Sequence, residues 1–127
     1  MTREEWLAEN PAGPDALSVL RNAVPLLPKE YLALLSRGNG GEAALSVSPF
    51  NLCIDSVESA LGYWQSGTYA MKGVFVFGGN GGGELLAFDM RKREPWPVIS
   101  FDPIDPEGSI EIVANDFSLL LKLVTVD

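Results

Sequence analysis

Val74-Phe75-Val76-Phe77-Gly78-Gly79-Asn80-Gly81-Gly82-Gly83-Glu84-Leu85-Leu86-Ala87-Phe88-Asp89 is the stretch from which the architecture of this 127-residue chain is read. Its two flanks are β-branched, aromatic or aliphatic and suit a pleated, half-buried surface. The glycines between them can take the positive φ values that a reversal of direction requires. The stretch therefore predicts a hairpin with a tip nearly bare of side chains. Such a row of N–H groups offers itself to an anion or to another protein's backbone, and serves equally well as a turn alone.

A nucleotide site is the other reading of clustered glycines, and the neighbours exclude it. A phosphate-binding loop ends in Gly-Lys-Ser/Thr and opens a helix, whereas Gly83 is followed by Glu84 and a strand-like run. A dinucleotide fingerprint also needs a helix after the glycines.

Outward from the hairpin, helices precede a sheet. Thr2-Arg3-Glu4-Glu5 has the form of a capping box for a short helix to about Glu9, before Pro11, Gly13 and Pro14. Asp15 is the expected cap of a second helix carrying Leu17, Leu20 and Val24, ended by Pro25. A third starts at Leu27-Pro28, with Pro28 in the first turn, turns Tyr31, Leu34 and Leu35 inward, and ends at Gly38 as a left-handed cap. Ala43, Leu45 and Val47 alternate as a strand does, and Asp55-Ser56-Val57-Glu58 opens a helix to about Tyr63. Further strands are expected near residues 72–77, 84–89, 97–101 and 109–113. Asn115 then caps a last helix with Phe117, Leu120, Leu121 and Val124. The prediction is an α+β fold: a central, mostly antiparallel sheet flanked by N-terminal helices and a C-terminal helix, in one domain over 1–127.

In this order the segments resemble the SMI1/KNR4, or SUKH, family. The likeness rests on Leu27-Pro28-Lys29-Glu30-Tyr31-Leu32 with Leu35, on Asn39-Gly40-Gly41 ending the helix, and on Phe77-Gly78-Gly79-Asn80 through Glu84 into Phe88-Asp89. Pro97-Val98-Ile99 with Phe101, and Phe117-Ser118 with Leu120 and Leu121, continue it. Pro28, Tyr31, Gly38, Asn39, Gly40, Gly78, Gly79 and Asp89 are thus expected to be structural. The resemblance implies an α+β fold with a largely antiparallel sheet and a role as a binding module. Many bacterial members are immunity proteins that neutralise a cognate toxin, and fungal relatives regulate signalling to the cell wall. The extended, Gly-rich tip departs from the family pattern.

Composition narrows the chemistry. There is no His, so His-dependent triads and the commonest metal ligand are absent. Cys53 has no second Cys to pair with, sits in an apolar stretch, and reads as a small hydrophobe in a reducing compartment. Asp102, Asp105 and Glu107 lack the spacing of a calcium loop, and Pro103 and Pro106 stiffen them into a solvated turn. Glu84 and Asp89 lie five apart on one strand and point to opposite faces, which removes them as an acid/base pair. No enzyme activity, cofactor or metal is expected.

Nine Lys plus Arg against seventeen Asp plus Glu leave a formal charge of −8. That field disfavours nucleic acid and anionic membranes and steers a basic protein partner inward, although acidity also simply keeps a protein soluble. The start, Met-Thr-Arg-Glu-Glu-Trp, has no apolar leader, and no apolar run approaches the roughly 20 residues of a membrane span, so a cytoplasmic protein is expected. Tyr63, Trp64 and Tyr69 either anchor an interface or wedge a helix onto the sheet. The expected partner-contact set is Trp64, Tyr69, Asn80, Gly82, Glu84, Asp102, Asp105 and Glu107. Two functions follow from these observations: a cytosolic immunity protein for a basic toxin domain, or a small-molecule or carbohydrate binder whose pocket the glycine hairpin lines.

Overall fold

The computed structural model describes residues 3–67 and 71–125. A 3-10 turn (Arg3–Trp6) leads into α1 (Pro14–Ala23), α2 (Lys29–Arg37), β1 (Gly41–Leu45), β2 (Asn51–Ile54) and α3 (Val57–Ser66). Then come β3 (Val74–Gly79), β4 (Leu85–Asp89), β5 (Val98–Phe101), a 3-10 turn (Glu107–Ser109), β6 (Glu111–Ala114), α4 (Phe117–Lys122) and β7 (Val124–Thr125). The strands form one sheet in the order β6-β5-β4-β3-β2-β1-β7, antiparallel throughout. The α+β class and the glycine hairpin are as the sequence predicts.

Strands β3 and β4 pair from Val74↔Asp89 to Gly79↔Leu85, with one slip between Val76 and Gly78 that leaves Phe77 as the extra residue of a bulge. Phe75, Phe77, Leu86, Phe88 and Val98 lie in the main core with Leu20, Leu35, Phe117 and Leu120 from the helices. Val74, Val76, Ala87, Ile99 and Phe101 form a second cluster with Met71, against which Leu85 and Ile110 pack. Covering both faces explains why these strands read as continuous apolar runs rather than alternating ones.

Tyr31 sits at the centre of the main core, with ring centroids 5.4 Å from Phe88, 5.6 Å from Phe117, 5.7 Å from Phe77 and 6.2 Å from Phe75. Its hydroxyl is fully buried and has no hydrogen-bond partner among the described residues. A buried, unpaired hydroxyl costs roughly 1–3 kcal/mol. Burial, and after it the charge of Asp55, push the phenol far above its ordinary range.

Several boundaries differ from the sequence reading, each for a local reason. Of the first box, Thr2 lies outside the described residues, and the turn is a 3-10 turn ending at Trp6 rather than a helix to Glu9. Gly13, not Asp15, caps α1, because Pro14 takes the first helical position and leaves Asp15 in the first turn. Pro28 occupies the N-cap of α2 itself. Ser56 rather than Asp55 caps α3, its hydroxyl accepting from Ser59 N at 3.1 Å. Asp116 rather than Asn115 caps α4, accepting from Leu119 N at 2.8 Å, and Val124 belongs to β7. β1 stops at Leu45, short of Val47, and β2 is a strand that the sequence reading lacks.

Gly38 is a glycine for a different reason than a left-handed cap. Its φ of −163° is extended backbone. What excludes a side chain is the N-terminal segment: a Cβ there would lie 2.6 Å from both the Ala8 carbonyl oxygen and the Leu7 Cβ. The positive φ falls at Gly40, at 108°. Between them, Asn39 reaches across to α3, accepting from Val57 N at 2.8 Å and donating to Glu58 Oε1 at 2.8 Å. Asn39 thereby satisfies an orphan donor of a helix to which it does not belong.

Candidate functional site

The glycine tip is closed by its own asparagine. Asn80 N donates to the Glu84 carbonyl at 3.0 Å, and Asn80 Oδ1 accepts from Gly82 N at 2.8 Å and Glu84 N at 3.1 Å. Asn80 Nδ2 donates to Glu84 Oε1 at 3.3 Å. Those two N–H groups are therefore spoken for, which weakens the tip as an anion cradle. Gly81 and Gly83 supply the left-handed turns, with φ of 77° and 109°. From β2, Asn51 Nδ2 donates to the Asn80 carbonyl at 3.1 Å and ties the tip to the neighbouring strand.

Gly78 is required by close approach: a Cβ there would come within 2.0 Å of the Cys53 carbonyl oxygen. Beneath the tip this contact shapes a cleft of about 230 Å³ lined by Cys53, Asp55, Tyr63, Gly78, Gly79, Gly81, Gly83, Glu84 and Leu85. Asp55 is half-buried in it, and burial pushes its carboxyl up to about 6. Among the described residues no donor reaches that carboxylate; only its backbone N is engaged, donating to the Phe77 carbonyl at 2.9 Å. The Cys53 thiol is pushed upward by burial and by the charges of Glu42 and Asp55, which keeps it protonated and a poor nucleophile.

The expected contact residues fall into separate groups. The pairing of Leu85 with Phe101 brings Glu84 and Asp102 to the same end of the sheet. From there the 102–110 turn folds back along the second face instead of projecting. Asp102 Oδ1 accepts from Ile104 N at 2.9 Å, and Ser109 Oγ donates to the Asp105 carbonyl at 2.7 Å. Glu107 reaches the far end of β4, where Arg91 Nη1 donates to it at 2.9 Å. Trp64 is partly buried against Phe75, ring centroids 5.7 Å apart, and lines a groove of about 310 Å³ with Tyr63, Met71, Lys72 and Val76. Tyr69 lies outside the described residues. Among the described residues no group of three or more Cys, Asp or Glu is placed to hold a metal ion.

Two residues at this end of the molecule escaped the sequence reading. Asp55 was absorbed into a helix cap. Phe50 precedes Asn51 in the turn from β1 to β2, is 66% exposed, and has a φ of 70°, unusual for a bulky residue. The only signal for it in the sequence is a turn-like Ser48-Pro49.

The site is thus framed by an antiparallel sheet with helices packed against it and a glycine hairpin at its end. The chain belongs to the SMI1 / KNR4 family (SUKH-1), which it matches over residues 11–122. No curated protein matches it in sequence. The family is one of immunity-type domains, which fits a protein-binding module. Among the described residues no helix is long and apolar enough to cross a membrane.

Proposed function

We propose that this chain is a non-catalytic immunity protein of the cytosol that covers a cognate, basic toxin domain. The observation that carries the proposal is the family match across residues 11–122. The −8 charge supports a basic partner, and the sheet end with Asn80, Gly82, Glu84 and Asp102 supplies a contact surface. Trp64, Tyr69 and Asp105 extend that set, while Glu107 contributes with its charge already shared with Arg91. The small-molecule alternative places its ligand against the glycine hairpin. The cleft there, about 230 Å³, falls short of the roughly 300–1,000 Å³ of such pockets, which favours the protein-binding reading.

The test pairs the protein with the toxin-like domain encoded beside it and follows association across salt concentrations. On-rates are expected to fall as ions screen charges beyond about 10 Å at 0.1 M. Glu84→Lys and Asp102→Lys should lower the on-rate, and Trp64→Ala should raise the off-rate. Absent binding, or binding indifferent to salt and to these changes in folded protein, overturns the proposal.

A further inference from the structure

We infer that the cleft under the glycine hairpin is a pocket for one cationic side chain, a lysine or arginine presented by the partner, with Asp55 as its counter-ion. The inference rests on the protein-binding reading and names the chemistry of the contact.

Three observations converge on it. Four glycines, Gly78, Gly79, Gly81 and Gly83, line the cleft, so much of its wall carries no side chain to obstruct a slender group. Its volume of about 230 Å³ suits a single extended side chain better than a small-molecule ligand. Within the same lining, Asp55 carries a half-buried carboxylate that no donor of the described residues satisfies. A half-buried carboxylate has lost part of its hydration, and a charged N–H donor is the partner that best makes up for it.

The surroundings specify charge over a neutral donor. Glu84 also lines the cleft, and Glu42 is close enough for its charge to act on Cys53 beside Asp55. Among the described residues no Lys or Arg lines the cleft. Nearby, the exposed Phe50 is tethered through Asn51 to the tip and offers an apolar surface for the stem or the neighbours of the entering residue. Its positive φ is a strained conformation of the kind that concentrates at binding sites.

The probes are N-acetyl-lysine amide and N-acetyl-arginine amide, with N-acetyl-norleucine amide as the uncharged match, titrated into isotopically labelled protein and followed by backbone amide shifts. Saturable shifts confined to residues 53–55 and 78–85 are expected for the two cationic probes, at least tenfold tighter than for norleucine. Asp55→Asn should weaken them tenfold or more, while Glu111→Gln, at an exposed carboxylate of β6, should leave them unchanged. Equal binding of norleucine, shifts spread equally over Asp102, Asp105 and Glu107, or full binding by folded Asp55→Asn overturns the inference. The norleucine comparison needs no variant and decides the matter even if Asp55→Asn does not fold. A toxin domain bound equally by wild type and Asp55→Asn would overturn this pocket and leave the immunity reading standing. Failure to bind any toxin domain would overturn that reading and leave the probe titrations to judge the cleft.

Discussion

Asp55 follows β2 and Asp89 closes β4, and the sheet treats the two carboxylates in opposite ways. Asp89 is 2% exposed and fully engaged: Oδ1 accepts from Arg91 N at 3.1 Å and Arg91 Nε at 2.9 Å, and Oδ2 from Arg91 Nη2 at 3.3 Å. Burial pushes its carboxyl up, but the side-chain and backbone hydrogen bonds from Arg91, with the charges of Arg91 and Lys92, outweigh this and hold it below its ordinary value. Asp55 meets only the burial and is raised. The difference teaches that one aspartate completes the fold, whereas the other is a cost the fold carries.

The largest expected effect comes from the wall of the Asp55 cleft. Gly78→Ala would press a methyl into the Cys53 carbonyl, a backbone atom that cannot rotate away, and so force β2 from β3. A loss of roughly 4 kcal/mol or outright failure to fold is expected. Denaturant unfolding checks it; a near-neutral result would mean that the two strands approach less closely.

Next comes Asp89→Ala, which removes the acceptor of all these Arg91 bonds. About 2 kcal/mol should be lost, less than for a wholly buried pair because Arg91 remains in reach of water. The contribution of Asp89 is present above its ordinary titration range and fades as pH falls through its lowered folded value.

Asp55→Asn sharpens the contrast, for its sign is opposite. The folded state holds the Asp55 proton to about pH 6 against an ordinary value of 3.8. The stability contributed by that proton is therefore complete below the ordinary value and is lost as pH rises through about 6. Folded Asp55→Asn should lack that decline, and at pH 8 should be at least as stable as wild type. Unfolding midpoints at intervals from pH 4 to 8 measure this, and a variant that loses stability at pH 8 would show that the carboxylate has a donor after all.

The smallest effect belongs to Glu107, whose side chain is 69% exposed in its pair with Arg91. Glu107→Gln should cost only about 0.5 kcal/mol. A much larger value would mean that Asp89 depends on Glu107 to hold Arg91 in place.

Legibility in the sequence followed the range of the interaction. The hairpin was legible because glycines and β-formers write it locally, and the apolar face of α2 because Tyr31, Leu34 and Leu35 recur at helical spacing. Caps slipped by one residue where two competent neighbours compete, as at Asp55-Ser56 and Asn115-Asp116. β2 escaped notice because four residues carry too little periodicity. Gly38 drew attention correctly but for the wrong cause, since the Leu7–Ala8 segment that crowds it comes from 30 residues earlier. The Asp55 cleft depends on β2 meeting β3 only at Cys53↔Gly79 and Ile54↔Gly78, a pairing that no local pattern encodes.

The strand order has a consequence for how the molecule assembles. From β1 to β6 every ladder joins strands consecutive in the chain, so most of the sheet can zip up from segments already near one another. Only β7 returns from a distance, placing Thr125 opposite Ala44 in a two-residue ladder. Closing so long a loop for so few bonds is entropically the least rewarding step. The β1–β7 seam therefore forms late and opens first, and amide hydrogens along it exchange with solvent while those between β3 and β4 remain protected.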